Sequence, residues 1–508
     1  MSKKFLDFKN ALVELTHLSS ATALLHWDLE THMPPAGGAV RGKTISLLSA
    51  LVHEKFTSPE FEALITELKE ASDGGVLSDE EACVVREVWR DFSREKKLPK
   101  EFVEDLSQVT SDAHHIWADA RMKSDFSLFL PTLKKIIGLK RKQADYYGYA
   151  DSPYDALLEG FEQDTTSADI EPLFSELKDF LIPFIKSIAD RDKKSQDTLF
   201  DGNFEIAKQK AFCHDLLEHI GFPFDRGRLD ESAHPFTQGF HPSDVRITTR
   251  YDQRNVFYSI LSTIHEAGHA LYDMGLADEH FGTPLGESLS LGIHESQSRL
   301  WENHVGRSRA FWIYMYPRLA RAFPQPFADI PFNEFYTHLN RVAPSLIRTE
   351  ADEVTYNMHI VIRLEIEREI IEGTLNPENI PEVWNQKVKN YLGIAVPDDA
   401  HGVLQDVHWS GGMFGYFPTY TLGNLYAAQL YATASREVLN LEEEIAKGSF
   451  DHLREWLRTR VHIHGRRYAQ DALISRATGE KLTARYFTEH IQKKYGELYQ
   501  LTDGSSGL

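Results

Sequence analysis

The sequence predicts a mainly α-helical protein with one small β element, and three observations carry that reading. Apolar residues recur at three- and four-residue spacings through most of the chain, the period of a helix that buries one face. One stretch departs from this: HPFTQGFHPSDVRITTRY, from His234 to Tyr251, has β-branched residues alternating in its second half. Turn-forming clusters punctuate the rest, at MPPAGG (33–38), SDGG (72–75), GFPFDRG (221–227) and AVPDDAHG (395–402).

Taken in order, helical periodicity covers 5–25, 40–55, 79–93, 100–146, 166–190 and 204–219. A short hairpin or small sheet follows over 234–251, directly before a helix at 253–275. The helical pattern returns at 287–306, 308–322, 332–343, 350–372, 381–391, 422–446 and 450–498. The segment GGMFGYFPTYT (411–421) is too rich in glycine and aromatics for a helix and reads as a loop. No repeat, low-complexity linker or composition shift separates domains, so residues 1–508 read as one unit. Its chemistry-bearing core spans about 234–425, its N-terminal helical part about 1–230, and the tail DGSSGL (503–508) is frayed.

Composition excludes several classes of function. With 55 Lys plus Arg against 76 Asp plus Glu the formal charge is -21, a surface that repels phosphate backbones, and no basic stripe offsets it. Nucleic acid is therefore not an expected partner. No apolar run reaches the length of roughly 18 residues needed to span a bilayer. The N-terminus MSKKFLDFKNALVEL is amphipathic, interrupted by Asp7, Lys9 and Glu14, and lacks the apolar core of a signal peptide. Cys83 and Cys213 lie in unrelated contexts and read as two reduced, buried thiols. A cytoplasmic location is expected.

Within the helix at 253–275 lies HEAGH, residues 265–269. Positions i and i+4 project from one helical face, so His265 and His269 can reach one ion, and Glu266 points beside it, where it can hold a water. The surrounding helix is strongly apolar (VFYSILSTI before, ALYDMGL after), and two histidines and a glutamate are costly there without partners. Gly268 opposes helix propensity and suits close approach by another element. A catalytic zinc needs a third protein ligand and an open fourth position. The next helix offers Glu287, Glu295 and Glu302. Glu295 shares its face with Leu291, Ser298 and Trp301, and a carboxylate buried among them needs a cation or a metal, so it is the expected third ligand. Glu287 reads as a first-turn glutamate and Glu302 as a solvated charge. Asp273 reads either as a partner orienting His269 or as a surface charge.

The motifs HPF (234–236), DVRIT (244–248), HEAGH (265–269), HES (294–296), IRTEAD (347–352) and GVLQDVHW (402–409) occur in this order, after ALLHWDLETHMPPAGGAVRG (23–42). Together they resemble the carboxypeptidase Taq family of zinc metallocarboxypeptidases, of gluzincin (HEXXH) type, over nearly the whole chain. The resemblance implies a large helical, saddle-like fold with a deep cleft, assembled as a homodimer. It also implies one divalent metal per chain, zinc or in some members cobalt, and release of C-terminal amino acids from peptides with broad specificity.

On that reading a zinc-activated water attacks the scissile carbonyl while Glu266 serves as general base and then as proton donor to the leaving amine. His408 in QDVHW and Tyr416 or Tyr420 in FGYFPTY lie where related gluzincins set a His and a Tyr facing the carbonyl, with Tyr420 preferred and packing the alternative for each. An exopeptidase needs a cation for the terminal carboxylate: Arg348 is the first candidate and Arg246 the second, unless they are held by Asp352 and Asp244. His234 and strand 244–251 are expected to line the cleft, where an edge strand pairs with substrate backbone. An endopeptidase on the same fold would carry the same zinc site. A non-catalytic, zinc-stabilised scaffold fits poorly, since structural zinc sites are closed and usually rich in cysteine.

Overall fold

The computed structural model describes residues 3–191, 200 and 202–501; the tail at 503–508 lies outside them. The chain opens with a long helix, Lys3–Thr31, which turns back through Pro35–Gly37 into Gly38–Phe56. Two further helices, Pro59–Asp73 and Asp79–Lys96, complete an N-terminal group. Pro59–Asp73 has no counterpart in the expected helices, yet it is well signalled: Ser58 caps it by accepting from the Phe61 amide, with Pro59 in the first turn. Phe5, Phe8, Leu12, Ile65, Val85, Val88 and Phe92 form a small core of their own, closed by Leu285 from the main body.

Several expected runs divide where the backbone, not the apolar pattern, decides. The run 100–146 becomes Lys100–Lys123 and Phe126–Tyr147, because Ser124 turns left-handed (φ 53°) and Asp125 accepts from the Ser127 amide to cap the second helix. The run 350–372 is helical only from Tyr356 onward: Asp352 accepts from the amides of Val354 and Thr355, and Arg348–Glu350 is a single tight turn. The run 450–498 separates into Asp451–Arg460, Gln470–Thr478 and Arg485–Leu498. Pro418, whose missing N–H costs nothing in a first turn, starts the helix Pro418–Glu437, so the expected loop at 411–421 ends four residues early and Tyr420 stands on the helix.

The β element lies directly before the HEAGH helix, and it has three strands: β1 (Gly227–Glu231), β2 (Thr237–His241) and β3 (Asp244–Thr249), in the order β1-β3-β2. β2 and β3 are antiparallel, while β1 runs parallel to β3. Strand 244–249 is thus the centre of the sheet, not an edge; the edge beside the HEAGH helix is β2. Val245 and Ile247 are fully buried and anchor the sheet to that helix. Among the described residues no helix is long and apolar enough to cross a membrane.

Candidate metal centre

The HEAGH helix, Val256–Gly275, is capped by Asn255, whose side chain accepts from the amides of Phe257 and Tyr258. Val256, Ile260, Ile264, Ala267 and Ala270 have no exposed surface, so the helix is set in the main core. Gly268 explains how close its neighbour comes. A Cβ there would lie 2.6 Å from the Gln297 carbonyl oxygen and the Ser298 Cα, so only glycine lets the helix Leu291–Arg299 cross at this point.

That crossing delivers Glu295. Its Oε2 lies 3.3 Å from His269 Nε2 and 3.7 Å from His265 Nε2, and the three donor atoms all fall within 4.8 Å of one another. Two imidazoles and a carboxylate converging in this way, at the middle of an otherwise apolar helix, fit the donor chemistry of a catalytic divalent ion. Burial of Glu295 is as expected, but Leu291 is exposed and does not share its environment. Ser298 Oγ donates to Glu295 Oε2 at 3.2 Å and Arg299 Nε to Oε1 at 2.6 Å. Burial alone would raise this carboxyl, but Arg299 and His265 outweigh it and hold it well below the usual range.

The supporting groups revise three sequence readings. Glu302 is no solvated charge: its Oε2 lies 2.8 Å from His265 Nδ1, and Arg299 and Arg307 flank it. Burial pushes it up, yet Arg299 and His265 bring it down to about 2. It sits in a widened π turn, Leu300–Val305, that continues the Glu295 helix. Asp273 does not touch His269. It pairs at 2.9 Å with His294, whose ring lies against that of His269. Glu287 precedes the helix and meets Arg466 at 3.1 Å, away from the centre. Burial, reinforced by the charge on His294, lowers His269 to about 4, so its ring is neutral near pH 7.

Glu266 is buried, and burial raises its carboxyl above the usual range. Thr237, first residue of the edge strand β2, donates its hydroxyl to Glu266 Oε2 at 2.7 Å. Sequence reasoning did not find Thr237, because strand and helix meet only in three dimensions.

The late motifs form a second cluster next to Glu295. A Cβ on Gly423 would sit 2.6 Å from the Glu295 Cγ, and Tyr420 is three residues earlier on the same helical face. Tyr420 Oη lies 3.2 Å from His408 Nε2, and Tyr416 packs against both rings at 5.3 Å. Burial and the nearby Arg348 and Arg363 keep His408 neutral, lowering it to about 4 against the pull of Asp406. Arg348 is buried and is bound by Asp406, not Asp352: Nε and Nη2 donate to Asp406 Oδ1 at 3.0 and 2.9 Å. Its Nη1 donates to Tyr356 Oη at 3.0 Å, and its guanidinium faces the Tyr420 ring at 4.8 Å. Asp406 also accepts from Arg363 Nε at 2.7 Å, while Arg299 lies over the Tyr356 ring at 4.4 Å. Tyr356 therefore joins the Glu295 side of the site to Arg348. Neither Tyr356 nor Asp406 was singled out from sequence, although Asp406 lies inside GVLQDVHW.

The remaining candidates lie further out. Arg246, on β3, makes a two-pronged pair with Asp244 at 3.0 Å and faces the Trp27 ring at 4.5 Å. His234 is exposed in the bend between β1 and β2. A cavity of 520 Å³ runs between Lys3–Thr31 and the main body, with Gln238, Gly239 and Asp273 in its wall.

The family model for the carboxypeptidase Taq (M32) metallopeptidases matches residues 7–495. The thermostable carboxypeptidase 1 of Thermus thermophilus is 41% identical over 499 residues, covering 96% of this chain and 97% of that one. Carboxypeptidase 1 of Bacillus subtilis is 40% identical over 495 residues, covering 97% and 98%. Among solved structures, the M32 carboxypeptidase from Deinococcus radiodurans R1 superposes with a TM-score of 0.95 at 37% identity, covering 98% of this chain and all of that one.

Proposed function

The chain belongs to the carboxypeptidase Taq family of metallopeptidases, hydrolases that act on peptides with a divalent metal, and from that premise we propose a zinc carboxypeptidase that removes C-terminal residues with broad specificity. The observation that carries the reading is the convergence of His265, His269 and Glu295 within 4.8 Å, with Glu266 one residue along the same helix. These three residues would hold the ion, with cobalt as the alternative to zinc. When bound, the metal supplies Lewis acidity to the scissile carbonyl and to the attacking water.

Glu266 takes the proton of that water and passes it to the leaving amine, its carboxylate held in place by the Thr237 hydroxyl. A carboxyl raised by burial is a better proton acceptor than an ordinary surface glutamate, which suits the role. His408 and Tyr420 act as donors to the carbonyl oxygen as negative charge develops there. Arg348 receives the terminal carboxylate. Its bonds to Asp406 and Tyr356 use the Nε–H and one N–H of each terminal nitrogen, leaving a second N–H on each. Tyr416, Arg246 and His234 contribute to substrate binding along the cleft, and the edge strand β2 is the element available to pair with substrate backbone. The family resemblance makes it a homodimer, and a cytoplasmic location agrees with two buried, unpaired cysteines.

The deciding experiment is release of amino acids from a short peptide, with and without a chelator, and with the C-terminus free or amidated. Chelation should abolish release, zinc should restore it, and the amidated peptide should resist. Equal cleavage of both peptides would make the enzyme an endopeptidase, and indifference to the chelator would remove the metal from the reaction.

A further inference from the structure

His265 and His269 both direct Nε2 toward Glu295, but their rings are held in different ways. Behind His265, Nδ1 meets Glu302 at 2.8 Å. Behind His269 there is no acceptor: its Nδ1 is buried and has no hydrogen-bond partner among the described residues. An imidazole that offers Nε2 to a metal carries its proton on Nδ1 and ordinarily gives it to a carboxylate or carbonyl, which fixes the ring. His269 lacks that brace.

A second ring takes its place. The imidazole of His294 lies against that of His269 with centroids 4.4 Å apart and planes within 17°. His294 is itself immobilised: Nε2 meets Asp273 Oδ1 at 2.9 Å, and Tyr272 backs it at 5.5 Å. Asp273 is confined in turn by the edge strand, since a Cβ on Gly239 would come within 2.7 Å of its Oδ2. One residue before His269, Gly268 holds this helix backbone against Gln297 and Ser298 of the helix that carries His294, which fixes the distance between the two rings.

We infer that His294, fixed by Asp273, is a positioning residue for His269: ring-on-ring contact orients this ligand where the hydrogen bond to Nδ1 is missing. The inference rests on the metal centre proposed above and adds a residue to it. It also gives a reason for His and Glu to be adjacent in HES: one helix turn brings the third ligand and the brace for the second together.

The test separates the ring of His294 from its hydrogen bond. Full-length protein loaded with zinc is mixed with excess chelator and metal release is followed in time. His294→Gln keeps an N–H donor toward Asp273 and discards the ring; it should release zinc faster by on the order of 10-fold. Asp273→Asn combined with His294→Phe keeps a ring and discards the ion pair; its release should stay within about threefold of the parent. Asp273→Ala, which frees the His294 ring, should fall between them, and it serves as the second measurement if His294→Gln does not fold. Parent-like release from His294→Gln, or from Asp273→Ala where only that variant folds, overturns the inference. So does release from the Phe double variant as fast as from His294→Gln. His269→Ala and Glu295→Ala distinguish the other failure: if they retain zinc as tightly as the parent, the metal centre itself has been misassigned.

Discussion

Glu302 Oε2 lies 2.8 Å from Nδ1 of His265, so a carboxylate seven residues beyond Glu295 braces the first histidine of HEAGH from behind. This bond selects the tautomer that leaves Nε2 free to face Glu295, and it makes the imidazole a stronger donor. Glu302→Ala should therefore weaken zinc affinity roughly 10- to 100-fold, with Glu302→Gln less affected, as read by competition with a chelator of known strength. Unchanged affinity in Glu302→Ala would reduce the contact to packing.

Glu266→Gln tests the proposed proton acceptor. The amide preserves size and can still accept from the Thr237 hydroxyl, so fold and metal content should match the parent. It cannot take up a proton, and turnover should fall by several powers of ten. Activity within about tenfold of the parent would point to another base.

How much of this was legible in the sequence depends on which contacts are local. His265, Glu266 and His269 share one helix at fixed spacing, and that geometry follows from helical periodicity alone. The helical pattern marks Glu295 for burial, and it is buried, but Leu291, which shares its face in the pattern, is exposed. Glu302 was readable as well, two turns beyond Glu295 on the same face, but a charged residue near a helix end looks solvated until the buried Arg299 and Arg307 are seen beside it. Asp273 sits four residues after His269, which favoured a contact along the helix; in the fold it turns to His294 on the crossing helix. The strand pattern of 234–251 marks β2 and β3, whereas β1 and its parallel pairing leave no trace, because GRLDE has no strand pattern of its own. Apolar period also failed at helix ends, where single side chains such as Asp125 and Asp352 decide.

Glu162 carries a prediction about pH. It is fully buried, accepting from the Gly292 amide at the start of the Glu295 helix and from Gln470 Nε2 at 2.8 Å. Burial pushes its carboxyl from 4.5 up to about 8. The folded state then holds this proton more tightly than the unfolded chain. The stability it contributes is complete below about pH 4.5 and is lost as pH rises toward about 8. Fully expressed, a displacement of this size amounts to roughly 4–5 kcal/mol. Glu162→Gln, whose new amide Gln470 can accommodate by turning its own, should flatten that dependence and gain on the parent as pH rises. Denaturant unfolding at a series of pH values measures it; parallel curves for the two proteins would refute the assignment.

Arg348 is the cation proposed to receive a free C-terminus. A terminal carboxylate taken into a cleft without a partner costs several kcal/mol, so a carboxypeptidase must supply a cation beyond the cleaved bond. Arg348 is buried beside Tyr420 and joined through Tyr356 to the Glu295 side of the site, and it retains free N–H groups in spite of Asp406. Its ion pair complicates a simple truncation, because Arg348→Ala leaves Asp406 to Arg363 alone and disturbs the surrounding rings. A fall in activity would therefore prove little by itself. The informative quantity is the ratio of catalytic efficiency on a free-acid peptide to that on its amide, in which general damage cancels. Arg348→Ala should lower efficiency on free acids by about 2–4 kcal/mol of transition-state binding while metal content holds, and it should narrow that ratio. Arg348→Lys should keep part of the discrimination, since the charge remains and only the planar fork is lost. If Arg348→Ala rejects amidated peptides as strongly as the parent, Arg348 only supports Asp406, and Arg246 on β3, itself already paired with Asp244, becomes the cation to test.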